Sequence, residues 1–130
     1  MTALPLVAVI EDDLPTQKAL VRVLRAGGFE PLAYACAEDF LSSPPHRLPV
    51  CLVLDIRLTG MSGLELLRKL KALGSRLSVI VMTALDDSRV RQEAYDLGCV
   101  GYLSKVSDSE ALLEMIRSLS RGSWPTVQGT

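Results

Sequence analysis

Four short runs in this 130-residue chain are apolar through nearly their whole length: Leu6 to Ile10, Val50 to Leu54, Ser78 to Met82, and Val100 to Leu103. A strand with one wet face alternates apolar and polar residues. A strand without alternation must be covered on both faces, as the strands of a parallel sheet are. A fifth run, Glu30 to Ala35, is weaker. Pro31 near its start lacks the amide that a central ladder needs, which places this run at an edge.

Helical signals fill the intervals. Leu20, Val21 and Leu24 form a stripe after Pro15, a residue suited to a first helical turn. Leu64, Leu67 and Leu70 form another, preceded by Ser62 and Glu65 at the spacing of a capping box. Val90, Ala94 and Leu97 mark a short, otherwise polar helix stopped by Gly98. Leu112, Met115, Ile116 and Leu119 mark the last helix, with a second box at Ser107 and Glu110. Ala37 to Leu41 completes the set as a short helix. Strand and helix thus alternate five times with no internal repeat. That order predicts an α/β fold: a parallel sheet with right-handed crossovers and helices on both faces. One domain is expected over residues 1–120. Residues 121–130 carry Gly122, Pro125 and Gly129 without periodicity and read as a linker or tail.

Composition narrows the function. With 48% apolar and 22% charged residues the chain is globular. At this length it buries roughly two thirds of its unfolded surface and needs no disulfide or metal staple. Only 5% of residues are aromatic, so Leu, Val, Ile and Ala must build the core. A net charge of −1, with the 14 basic residues scattered, leaves no footprint for nucleic acid. Any control of DNA would have to lie in another part of the protein. Cys36, Cys51 and Cys99 are isolated, without metal-ligand spacing, and read as reduced, partly buried thiols. His46, among Pro44, Pro45 and Pro49, reads as a surface loop residue. There is no signal-peptide pattern, and no apolar run approaches the ~20 residues that span a bilayer. A cytoplasmic protein without a membrane partner is the expectation.

The polar residues of interest follow the strands. Glu11, Asp12 and Asp13 end the first, Asp55 the third and Thr83 the fourth, and Lys105 comes just after the fifth. In an open parallel sheet these ends share one edge, where ligands bind. Clustered carboxylates raise each other's pKa unless a cation joins them. An oxygen-only set suits a hard divalent ion such as Mg2+. Thr83 and Lys105 would then face an incoming phosphoryl group, and Asp55 could be a nucleophile. A structural alternative exists for several of them: Asp12 or Asp13 could cap the first helix, and Thr83 the fourth.

The segments Val9-Ile10-Glu11-Asp12-Asp13, Leu54-Asp55-Ile56-Arg57, Met61-Ser62-Gly63, Val81-Met82-Thr83-Ala84 and Gly101-Tyr102-Leu103-Ser104-Lys105 resemble response-regulator receiver domains over about residues 5 to 120. The resemblance implies a flavodoxin-like, doubly wound five-stranded sheet in the order 2-1-3-4-5 with five helices. It implies that Asp55 accepts a phosphoryl group from a sensor histidine kinase. Mg2+ would be held by Asp12, Asp55 and the backbone carbonyl of Arg57, with Glu11 helping through water. Thr83, Ala84 and Lys105 would contact the phosphoryl oxygens, and Thr83 and Tyr102 would relay the change to the surface of helix four, strand five and helix five. Such a domain catalyses only its own phosphotransfer and dephosphorylation. A homodimer on phosphorylation is a possible partner state.

Three residues depart from the family pattern. Glu11 stands where many members have Asp. Thr59 stands where Pro is common. Val106 follows Lys105, where a proline in a cis bond is usual. Because a cis bond before a non-proline costs about 2.5–4 kcal/mol, Lys105-Val106 is expected to be trans. The stretch Ile116 to Pro125 resembles a linker into a LuxR- or FixJ-type helix-turn-helix domain, which points to transcriptional control through an output domain absent from this chain; a stand-alone receiver with an irregular end is the alternative. Two other readings compete. A phosphohydrolase of the haloacid-dehalogenase type would carry a second Asp where Arg57 stands, and its nucleophile on the first strand. A phosphate-independent, receiver-like dimerisation or binding module would keep the fold without the chemistry.

Overall fold

The computed structural model describes residues 4–84, 87–104 and 108–122, with residues 121 and 122 described by their backbone alone. Strands β1 (Leu6–Ile10), β2 (Glu30–Tyr34), β3 (Cys51–Leu54), β4 (Val79–Met82) and β5 (Gly101–Leu103) alternate with helices α1 (Leu14–Ala26), α2 (Ala37–Ser42), α3 (Gly63–Ala72), α4 (Ser88–Asp96) and α5 (Ser109–Gly122). All pairings are parallel, and the sheet runs β2-β1-β3-β4-β5, as the resemblance implied.

Successive residues of a strand point to opposite faces, and here each face meets its own helices. Ala8, Ile10, Leu52, Leu54, Val79 and Val81 pack on the side of α2, α3 and α4, against Phe40, Leu66, Leu67 and Ala94. Val7, Val9, Val53, Ile80 and Met82 pack on the other side, against Leu20 and Leu24 of α1 and Leu112, Leu113 and Ile116 of α5. Two-sided burial explains the unbroken apolar runs of β1, β3 and β4. β2 is exposed or half-buried throughout, as its Pro31 and weak pattern suggested. β5 is not central but forms the other edge, yet it keeps the expected cover: Gly101 and Tyr102 are buried and Leu103 is half-buried, while Val100 just before the strand is exposed.

Several strands are one residue shorter than expected. Val50, Ser78 and Val100 precede their strands, yet each still takes part in a backbone bond to the neighbouring strand or its approach, at 2.8 Å. The helix ends follow their local chemistry. Ser62 and Glu65 form the expected capping box on α3. Gly98, at φ 102°, follows α4 in a left-handed conformation that glycine alone enters cheaply. The box at Ser107 and Glu110 involves a residue outside those described. Cys51 and Cys99 are buried free thiols, pushed up by burial to about 12 and about 11, and Cys36 is half-buried. His46 lies exposed in the loop before β3.

Candidate functional site

The sheet's hydrogen bonding carries on one residue past the strands and holds the polar ends in place. The Glu11 amide donates to the Tyr34 carbonyl (3.0 Å), the Asp55 amide to Ile10 (3.2 Å), and the Thr83 amide to Leu103 (3.0 Å). The residues after β1, β3 and β4 are therefore each tied to a neighbouring strand, and their side chains gather at one edge.

Glu11, Asp12 and Asp55 meet there, with one carboxylate oxygen from each within 4.8 Å of the others. They line an open pocket of about 460 Å³ together with Arg57, Thr83 and Ala84. Glu11 is buried, at 4% exposure. Burial, then the nearby charges of Asp55 and Asp12, push its carboxyl up to about 7, although the Asp13 amide opposes this by donating to Oε2 at 3.0 Å. A buried acid beside two others is a site short of positive charge, and an oxygen-only donor set fits a hard divalent cation. Asp12 behaves oppositely. The Thr59 hydroxyl and amide both donate to its Oδ2, at 2.6 and 3.1 Å, and hold its carboxyl below the usual range. Asp55 is half-buried and accepts the Arg57 amide on Oδ1 at 3.1 Å.

The choice of helix caps is resolved. Asp13, not Asp12, caps α1, accepting the Thr16 amide at 3.1 Å. Asp12 is left free to join the cluster. Asp87, not Thr83, caps α4, accepting the Arg89 and Val90 amides at 2.9 and 3.4 Å. Thr83 is instead buried at the pocket wall, at 4% exposure. Tyr102 lies buried in β5, with the Arg91 guanidinium 5.2 Å from its ring centre. Lys105, the Lys105-Val106 bond and the stretch beyond Gly122 lie outside the described residues.

Two supporting residues escaped the sequence reading. Gln17 on α1 donates through Nε2 to the carbonyls of Glu11 (3.0 Å) and Tyr34 (3.2 Å), clasping the ends of β1 and β2. Glu38 on α2 accepts the Met61 amide at 2.8 Å, fastening the loop between β3 and α3. Both contacts span 17 or more residues, apart from Gln17 to Glu11, and no local pattern marks them. Among the described residues no helix is long and apolar enough to cross a membrane.

Residues 7–117 match the response regulator receiver domain family. The transcriptional regulatory protein FixJ of Azorhizobium caulinodans is 36% identical over 112 residues, covering 86% of this chain and 53% of FixJ. FixJ of Bradyrhizobium diazoefficiens is 33% identical, covering 98% of this chain and 62% of that protein. The chain thus spans about half to three fifths of these relatives. Full-length FixJ from B. japonicum superposes with a TM-score of 0.86 at 32% identity, over 98% of this chain and 63% of that one. The FixJ-N structure superposes at 0.81 and 33% identity, over 93% of this chain and 96% of that one. With the family match running from β1 into α5 and taking in the acidic edge, this chain belongs to the response regulator receiver domains, with FixJ-type regulators among its relatives.

Proposed function

We propose that this domain is a phosphorylation-driven switch in which Asp55 accepts a phosphoryl group from a sensor histidine kinase. The observation that carries the reading is the meeting of Glu11, Asp12 and Asp55 within 4.8 Å, in a pocket shared with the buried Thr83. Asp55 is held by backbone on both sides: its amide is bonded to β1, and its Oδ1 receives the Arg57 amide. Its other oxygen attacks phosphorus as the P–N bond to the kinase imidazole breaks, and the imidazole takes up a proton.

Mg2+, held by Asp12, Asp55 and the Arg57 carbonyl, with Glu11 acting through water, would offset charge on the transferring oxygens. The Thr83 hydroxyl, the Ala84 amide and Lys105 receive the phosphoryl oxygens. Drawn to them, Thr83 shifts the packing around Tyr102, and the surface of α4, β5 and α5 changes with it. Tyr102 is already buried under Arg91 in this structure, so the switch acts by stabilising that inward position. The domain's own chemistry is limited to this transfer and to hydrolysis of the resulting aspartyl phosphate, in which water attacks phosphorus and the Asp55 carboxylate leaves.

We assign residues 1–120 to the receiver and 121–130 to a linker. The FixJ-type relatives support an output domain beyond it that would bind DNA, with phosphorylation promoting a homodimer, in the cytoplasm. The test is intact mass after incubation with acetyl phosphate, with and without Mg2+, on the unchanged chain and Asp55→Asn. A Mg2+-dependent gain of one phosphoryl group in the unchanged chain alone is expected. No gain from acetyl phosphate or from a kinase donor would refute the reading in favour of a phosphate-independent module.

A further inference from the structure

The loop between β3 and α3 is fastened at two points. Glu38 takes the Met61 amide at 2.8 Å, and Asp12 takes both the amide and the hydroxyl of Thr59. Between them the chain turns at Gly60, with φ at 76°. A Cβ at Gly60 would sit 2.6 Å from a Glu38 oxygen, so the loop passes α2 closely. This double fastening presents two donors of Thr59 to a single oxygen, Asp12 Oδ2, at 3.1 and 2.6 Å.

A carboxylate offers about four lone-pair positions, two on each oxygen. Thr59 fills those on Oδ2, which leaves Oδ1 for other partners. A cation needing both oxygens of Asp12 must first displace the Thr59 donors. Ca2+ readily takes a carboxylate by both oxygens, among six to eight ligands, whereas Mg2+ demands compact octahedral coordination and takes one oxygen per carboxylate. Residues behind a ligand commonly tune metal affinity by 10–100-fold.

We propose that Thr59 is a positioning residue that sets the metal preference of the site: by occupying Asp12 Oδ2 it restricts Asp12 to one-oxygen ligation and favours Mg2+ over Ca2+. The proposal rests on the reading of the acidic cluster as a divalent-cation site. Thr59 is exposed, so its replacement leaves the core untouched.

The test is calorimetric titration of the full chain with MgCl2 and with CaCl2, for the unchanged protein, Thr59→Val and Thr59→Ser. Valine keeps the shape and the amide but removes the hydroxyl. Melting in EDTA checks that each variant is folded. Thr59→Val is expected to weaken Mg2+ binding about tenfold or more and to lower the ratio of Mg2+ to Ca2+ affinity, and Thr59→Ser to restore both. An unchanged ratio in Thr59→Val, whether both affinities hold or both fall by the same factor, would overturn the proposal. So would failure of serine to rescue. Absence of binding by either ion to the unchanged chain would remove the metal reading itself, a result distinct from the others.

Discussion

Glu11 should make the metal-free fold less stable as pH rises, and Mg2+ should reverse the effect. Its carboxyl titrates at about 7 in the fold against 4.5 ordinarily, chiefly because it is buried. Below pH 4.5 the group is neutral in both folded and unfolded chains and contributes nothing. Between 4.5 and 7 the unfolded chain ionises while the fold holds its proton, so each increment of pH favours unfolding. Above 7 the fold must carry the buried charge, at a cost of about 3 kcal/mol. Glu11→Gln removes the titration and keeps the shape. Urea unfolding in EDTA should show the unchanged chain losing roughly 2–3 kcal/mol relative to Glu11→Gln between pH 5 and pH 8. Adding Mg2+ at pH 8 should recover most of that loss in the unchanged chain, and less in the variant. A difference between the two proteins that stays flat with pH would refute the argument, because burial of an ionising Glu11 cannot be pH-independent.

Other expectations are more local. Gly63→Ala would place a Cβ 2.5 Å from the Asp55 carbonyl oxygen and 2.7 Å from the Ile56 Cα. Neither backbone atom can swing aside, so chemical denaturation should show a loss of about 1–3 kcal/mol or more, and acetyl phosphate should label the variant more slowly. Asp13→Ala removes the α1 cap and should cost about 1 kcal/mol in the same assay, without abolishing labelling of Asp55. Leu66→Ala empties a fully buried position under the sheet and should cost about 2–5 kcal/mol, read from the urea midpoint. Gln17→Ala removes the side-chain bonds to the carbonyls of Glu11 and Tyr34 and leaves the Glu11 amide as the remaining donor to Tyr34. Amide exchange should quicken at the Glu11 end of β1 before it does in β3.

The architecture was legible because it rests on patterns that local sequence carries. Runs such as Leu6 to Ile10 report two-sided burial, and Ser62 with Glu65 reports a helix start. Strand ends were misjudged by a residue where Val50 and Val100 join the bonding without belonging to the strand. The edge position of β5 was not legible, because a short apolar run covered on both faces looks alike at an edge and in the middle of a sheet. Within the site, Glu11, Asp12, Asp55 and Thr83 were legible from their places after strands. Which acid would cap α1 was not, since Asp12 and Asp13 differ only in direction, and Thr59 decides it by taking Asp12 from across the loop. Gln17 and Glu38 were invisible for the same reason: each meets a partner distant in sequence, on a register that only the folded sheet defines.

The two layers of core also differ in when they can be completed during synthesis. The layer under α2, α3 and α4 draws mainly on residues from Ala8 to Cys99, with Tyr102 at its margin. The opposite layer begins with Val7 and Leu20 but closes on Leu112, Leu113 and Ile116, near the end of the domain. The last of these helices even fits against the turn after the first, where a Cβ on Gly27 would lie 2.6 Å from Leu113. A nascent chain therefore emerges with this face covered by α1 alone, and Val53 and Ile80 lack the Leu112, Leu113 and Ile116 part of their packing until α5 leaves the ribosome. The final helix acts as a late seal, and a chain cut short before Ser109 would carry a half-finished sheet that other proteins could bind or remove.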